Sequence, residues 1–327
     1  MRICLIRPPC ILLSGVGTGP RVLRDRAGGI APEPPSVFNR FVSSPGATSA
    51  RPAAVDLDRW PRRVREIVLH QSRRADVGHI GSALSVVEIL VALYGRVMRW
   101  SALDDPARDR FILSKGHAAL ALYAVLSLKG VLTEAQLHSF CCDDSLLGVH
   151  PDHRLPGVEF STGSLGHGLS IGAGVALAAR LQGSPSRVFV LLSDAELNEG
   201  SVWEAAMFAA HHRLANLVAV VDCNAQQALG HTKDVLDLQP LAERWRAFGW
   251  DVHERPGHDI EDLARTVEQF DTAPGGPPHI VIAHTVFGRG VSYMEREIRW
   301  HYMPMTDEEY AWALAEVRME SAPDSAV

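Results

Sequence analysis

Residues 188–205 read VFVLLSDAELNEGSVWEA. The run from Val188 to Leu192 is apolar and rich in β-branched residues, and it stops abruptly at Ser193-Asp194-Ala195. A short continuous apolar run bounded by polar residues has the signature of a strand buried on both faces. A strand that ends in a carboxylate and leads into a helix presents that carboxylate at its C-terminal end. There an open α/β sheet places its ligands.

Working outward, further strands are predicted at Phe111–Ser114, Leu217–Asp222 and Ile280–Val286, with Val188–Asp194 between the first two. Helical stretches are expected at about 200–213, 239–248 and 259–270. This alternation predicts a doubly wound, mostly parallel sheet with helices on both faces. Ser85-Val-Val-Glu88 and Thr133-Glu-Ala-Gln136 read as capping boxes opening helices, the first leading into Ile89, Leu90, Leu93 and Tyr94 at helical spacing. Gly166, Gly168, Gly172 and Gly174 cost a helix about 1 kcal/mol each against alanine, which points to close backbone approach there.

The 327 residues carry a formal net charge of −6, with 46% hydrophobic and 21% charged residues. That balance offers no basic footprint for nucleic acid, and apolar runs stop short of a bilayer span. Five cysteines without a CxxC pair argue against a disulfide framework or a zinc site and for a reducing cytoplasm. Residues 1–54 hold seven arginines and two acidic residues among many Pro, Gly and Ser, and read as a flexible extension. Residues 55–318 read as the folded α/β domain and 319–327 as a loose tail.

Asn224 lies just past the end of the strand after Asp194. If the two strands are neighbours, both side-chain oxygens enter one crevice. Two hard oxygen ligands with room for a backbone carbonyl and a phosphate suit Mg²⁺ or Ca²⁺. The competing reading is that Asp194 only caps the helix near Gly200. Histidines set among glycines, in Val-Gly-His79-Ile-Gly, Lys-Gly-His117-Ala and Gly163-Ser-Leu-Gly-His167-Gly, with His150 nearby, add a polar, anion-binding character.

The segment ELNEGSVWEAAMFAAHHRLANLVAVVDCN, residues 196–224, resembles the thiamine-diphosphate motif of transketolases. So do VGHIG with SALSVVEILVALY, DRFILSKGHAALALY, PGVEFSTGSLGHGLSIGAGVALAARL and TVFGRGVSYMEREIRWH, collinear over about three-quarters of the chain. The likeness is to the N-terminal half of transketolase in the form that occurs as a separate subunit. The resemblance implies that Asp194, Asn224 and the main-chain carbonyl of Gln226 hold the metal, which bridges the cofactor diphosphate. It implies further that His117, His301 and Ala195 lie against the diphosphate and Gly163, Ser164 and Leu165 against the aminopyrimidine. By the same resemblance His79, His150 and His301 face the sugar, with His79 and His301 assisting proton movement, and Glu199 links two active sites across a dimer interface.

The chain departs from the family at two places. The usual Gly-Asp-Gly turn is Ser193-Asp194-Ala195 here; Ala195 is tolerated if its φ is negative and strained by roughly 1 kcal/mol or more if positive. The glycine usual after the last histidine is replaced by Tyr302-Met303-Pro304, which puts bulk beside His301. The glutamate that activates the cofactor belongs, in the family, to a pyrimidine-binding domain that the matched half does not include. The resemblance therefore implies a transferase subunit that moves a two-carbon ketol unit from a ketose or its phosphate to an aldose. It would act with a C-terminal partner chain in an α₂β₂ assembly. The alternatives are a two-carbon or acyl donor subunit with a non-sugar or carrier-bound acceptor, and a non-catalytic subunit that keeps the fold.

Overall fold

The computed structural model describes residues 57–319. The expected extension 1–54 and residues 320–327 of the expected tail lie outside the described residues. Five strands form one wholly parallel sheet: β1 (Arg110–Leu113), β2 (Val188–Ser193), β3 (Leu217–Cys223), β6 (Asp251–Pro256) and β7 (His279–His284), in the order β1-β2-β3-β7-β6. A two-residue hairpin, β4 (Gln226–Gln227) with β5 (Gly230–His231), follows β3 directly.

Alternation along the strands divides the core in two. Phe189, Leu191, Val218, Val220, Val281 and Ala283 face one side, where they pack in a single cluster with residues of α1 (Trp60–Ala75), α2 (Ile80–Ser85), α3 (Val87–Ala92) and α4 (Ala119–Leu128). Val190, Leu192, Ala219, Val221, Ile280 and Ile282 face the other. They pack there with α6 (Gly168–Leu181), α7 (Gly200–His211) and α9 (Leu241–Ala247), which come after α5 (Glu134–His138) and α8 (Thr232–Val235) in the chain. Each such fully buried Val, Leu or Ile contributes about 1.5–3 kcal/mol of transfer free energy, so both layers are held to the sheet mainly by apolar area. α10 (Ile260–Glu268), α11 (Arg299–Tyr302) and α12 (Asp307–Met319) complete the fold. The doubly wound α/β expectation is borne out.

The glycine-rich stretch makes close approaches at Gly168 and Gly172, while Gly174 has nothing within 4 Å. A Cβ on Gly172 would fall 2.4 Å from Val190 Cγ2, and one on Gly168 would fall 2.2 Å from Ser114 Oγ, so α6 sits directly on the sheet. The Thr133 capping box is present, with Gln136 N–H on Thr133 Oγ1 at 3.2 Å. The Ser85 box is not. Ser85 is the last residue of α2, and its hydroxyl donates to Asp222 Oδ2 at 2.7 Å, so it is unavailable to cap α3. The helical spacing after it continues as α3 and a π-helical turn, Leu93–Val97.

Among the described residues no helix is long and apolar enough to cross a membrane. Cys141, Cys142 and Cys223 form no disulfide.

Candidate functional site

The register decides where the site lies. Ser193 pairs with Asp222, so the parallel strands β2 and β3 end side by side. Asp194 follows one end and Asn224 the other. The Asp194 N–H donates to the Asp222 carbonyl at 3.2 Å, and Asp194 Oδ2 accepts the Ala225 N–H at 2.7 Å. Asn224 Oδ1 accepts the Gln226 N–H at 3.0 Å. The two oxygen-bearing side chains expected to converge are thus at adjoining strand ends, and Ala225 takes φ 63° to turn the chain between Asn224 and Gln226.

Asp194 also accepts the Ala195 N–H at 2.8 Å and caps a short 3₁₀ helix, Ala195–Asn198. The capping reading is therefore correct in part, for that turn rather than for α7. Burial and the neighbouring Asp222 push the Asp194 carboxyl up to about 7. A buried carboxylate with only backbone donors on its oxygens is one that a divalent cation would relieve.

Ser82, Lys115, His117, Leu165, Ala195, Glu199, Asn224, Gln226, Ala228, Phe287 and His301 surround a cleft of about 210 Å³. Asp194 borders an adjoining hollow of about 380 Å³ with Ala225 and His231. Three imidazoles meet at the cleft. His79 lies 5.5 Å from His117 and 5.0 Å from His301, and His117 lies 5.7 Å from His301, ring centre to ring centre. Burial, reinforced by neighbouring positive groups, lowers all three: His117 well below its ordinary value and His301 to about 4. They are neutral at pH 7, able to accept as well as donate. His79 itself takes φ 61°, a left-handed conformation that costs a non-glycine residue roughly 1 kcal/mol or more.

His150 joins from the side, its ring against Gly163, where an added Cβ would fall 3.1 Å from Cδ2. Ser164 is exposed in the same turn, which ends at Gly166 with φ 88°. A Cβ there would fall 2.6 Å from Glu199 Cβ, so only glycine lets this loop close on the start of α7. His167, in contrast, is exposed, makes no cap contact and is not part of the cluster.

Three buried ionic residues lie inside the quoted segments but have no role assigned from the sequence. Lys115 and Asp222, both fully buried, form an ion pair, and Asp222 also takes hydrogen bonds from Ser85, Asn224 at 2.8 Å and Thr285. This network fixes the amide of Asn224. Glu196, also fully buried, accepts from Ser114, from Gly166 N–H at 2.8 Å and from Ser193 N–H at 3.3 Å, stitching the glycine loop to the strand end. A signal existed for Asp222: it interrupts the apolar run LVAVVDC inside a strand, where an acid must have a partner.

The donor set fits a magnesium-held diphosphate. The expected ligands are all oxygens, as a hard cation requires. Among the described residues no three His, Cys, Asp or Glu are grouped to hold a metal by themselves, so the remaining ligands would come from main chain and phosphate. Asn198 Oδ1, Gln227 Nε2 and His79 Nδ1 are buried with no partner, and Asn198 and Gln227 line the cleft; a polar ligand would satisfy them.

Residues 59–325 match the family described as transketolase, thiamine diphosphate binding domain. A subunit of the apulose-4-phosphate transketolase of Phocaeicola vulgatus is 43% identical over 260 residues, covering 78% of this chain and 90% of that protein. The 6-deoxy-6-sulfo-D-fructose transketolase subunit SqwG of a Clostridium species is 38% identical over 271 residues, covering 82% and 98%. Transketolase from Campylobacter jejuni superposes with a TM-score of 0.74 at 27% identity, over 80% of this chain and 42% of that one. The chain thus spans nearly all of the subunit relatives and about two-fifths of that solved transketolase.

Proposed function

This chain belongs to the transketolase family, as its thiamine-diphosphate-binding domain, and from that premise we propose that it is the N-terminal subunit of a split transketolase. It would bind thiamine diphosphate with Mg²⁺ and transfer a two-carbon ketol unit from a ketose or ketose phosphate to an aldose. A separate pyrimidine-domain chain would complete the site, in an α₂β₂ assembly. Relatives named as transketolase subunits, which the chain covers almost end to end, support the division of labour.

When bound, thiamine diphosphate supplies a nucleophilic carbon that can break and make the bond beside a ketose carbonyl. The rest falls to this chain's own side chains. Asp194, Asn224 and the Gln226 carbonyl would hold the ion, and Lys115 and Asp222 keep the Asn224 amide in place from below. His117 and Ala195 would lie against the diphosphate, and Gly163, Ser164 and Leu165 against the aminopyrimidine. Glu199, exposed at the start of α7, is where contact across a subunit interface is proposed. His79 and His301, neutral and edge to face, would pass protons to and from substrate oxygens, with His150 beside them. That pair of neutral imidazoles, with His301 in the cleft that Asn224 lines and Asp194 at the adjoining end of β2, is the observation that carries the reading.

The test is a ketol-transfer assay of this chain by itself, of the pyrimidine-domain chain by itself, and of the two mixed. Turnover only in the mixture supports the reading; turnover by this chain without its partner refutes it.

A further inference from the structure

We propose that Tyr302 is a bar across the mouth of the cleft that selects substrates by width. Its anchorage stands on this structure, while the reaction it serves rests on the reading above.

The bar has two fixed ends. At its base, the main chain of Tyr302 lies against Gly78, where an added Cβ would fall 2.4 Å from the Tyr302 carbonyl oxygen. One residue earlier, the His301 carbonyl accepts the His79 N–H at 3.2 Å. At its tip, the Tyr302 hydroxyl donates to the carbonyl of Ala228, in the turn between β4 and β5. His301 and Ala228 both line the cleft, so a side chain that starts beside the first and ends on the second spans the opening. Its ring stands 5.0 Å from the His301 ring at 69°, an edge contact that keeps it beside the imidazole.

The far support is itself held. Gln226 Nε2 donates to the Arg296 carbonyl at 3.0 Å, a second tie between the hairpin and the segment leading to α11. Despite these contacts Tyr302 is 55% exposed. It is therefore not part of the core; a large ring held over an opening by a hydrogen bond restricts what passes beneath it. A slender donor would reach His79 and His301, and one broad beyond its reacting carbons would meet the ring.

Two measurements test this. Diethyl pyrocarbonate modification at pH 7, read by mass spectrometry on the full chain, reports access to each imidazole without any turnover. Tyr302→Ala should raise the modification rates of His301 and His79 several-fold, and Tyr302→Phe, which keeps the ring but loses its hydrogen bond, should raise them less. Exposed His211 should not change. An unaltered His301 rate in both variants overturns the bar.

In the assembly with the pyrimidine-domain chain, Tyr302→Ala should raise kcat/KM for a seven-carbon ketose phosphate relative to hydroxypyruvate by about tenfold, within the range that pocket size alone provides. An equal change for both donors overturns the selection. If the wild-type assembly turns over neither donor, the reading of the reaction fails, and the modification rates still decide the bar.

Discussion

His79 donates its backbone N–H to the carbonyl oxygen of His301, and their rings meet edge to face 5.0 Å apart. A main-chain hydrogen bond thus sets the separation of two imidazoles that are 222 positions apart in sequence, counting from 79 to 301. Side-chain rotamers then set the final ring spacing and tilt. The left-handed backbone of His79 is part of the same arrangement, since strain of this kind persists only where surrounding contacts over-determine it.

Acid should loosen the site from this cluster outward. His301 is held at about 4 and His79, His117 and His150 below 6.5, so each binds its proton more readily in the unfolded chain. Their contribution is complete above about pH 6.5 and is lost as pH falls toward 4. For half-buried His301 the shift corresponds to an upper bound of roughly 3 kcal/mol. Thermal melts of wild type and His301→Asn between pH 7 and 4.5 should show a shallower acid decline in the variant. Equal slopes would argue against a depressed His301.

Lys115 and Asp222 make a different expectation. Removing either partner leaves the other charge buried, so Lys115→Met and Asp222→Leu should each destabilise by about 3–5 kcal/mol in urea unfolding. The double variant should recover only part of the loss, because Asp222 also anchors Ser85, Asn224 and Thr285. Full recovery would mean that the pair is isolated from the strand-end network.

Ala195 resolves a question raised by its place where the family has glycine. It opens the 3₁₀ turn after Asp194 and is absent from the residues with positive φ. Ala195→Gly therefore relieves no strain. It should leave cofactor affinity nearly unchanged and lower stability by about 0.4–1 kcal/mol through the freer unfolded chain. A large gain in affinity would place the alanine methyl in the way of the cofactor.

Gly166→Ala should be far more damaging than Gly183→Ala. Both glycines have positive φ, but a Cβ at 166 meets Glu199 and Ser201 at 2.6 Å, whereas at 183 nothing lies within 4 Å. The second variant should cost about 1 kcal/mol, the ordinary left-handed penalty. The first should cost more and also weaken thiamine diphosphate binding. Similar losses in both would remove the packing argument.

Much of this frame is legible from residues 188–205 because parallel strands buried on both faces read as continuous apolar runs. β2, β3 and β7 lie within one or two residues of where those runs place them, and with them the positions of Asp194 and Asn224. β6, Asp251–Pro256, escapes because an edge strand half open to solvent can carry His253, Glu254 and Arg255 without an apolar pattern. Lys115 and Glu196 escape for another reason. A charged residue is read as solvated until its partner is known, and their partners lie 107 and 82 residues away. Ser85 fits a local capping rule, but a long-range bond to Asp222 outcompetes it.

The most direct measurement is calorimetric titration of thiamine diphosphate into this chain assembled with the proposed pyrimidine-domain partner, with and without Mg²⁺. Saturable binding that requires the metal and disappears in Asp194→Ala is the expected result. Binding of equal strength in that variant, or in the presence of a chelator, would contradict it.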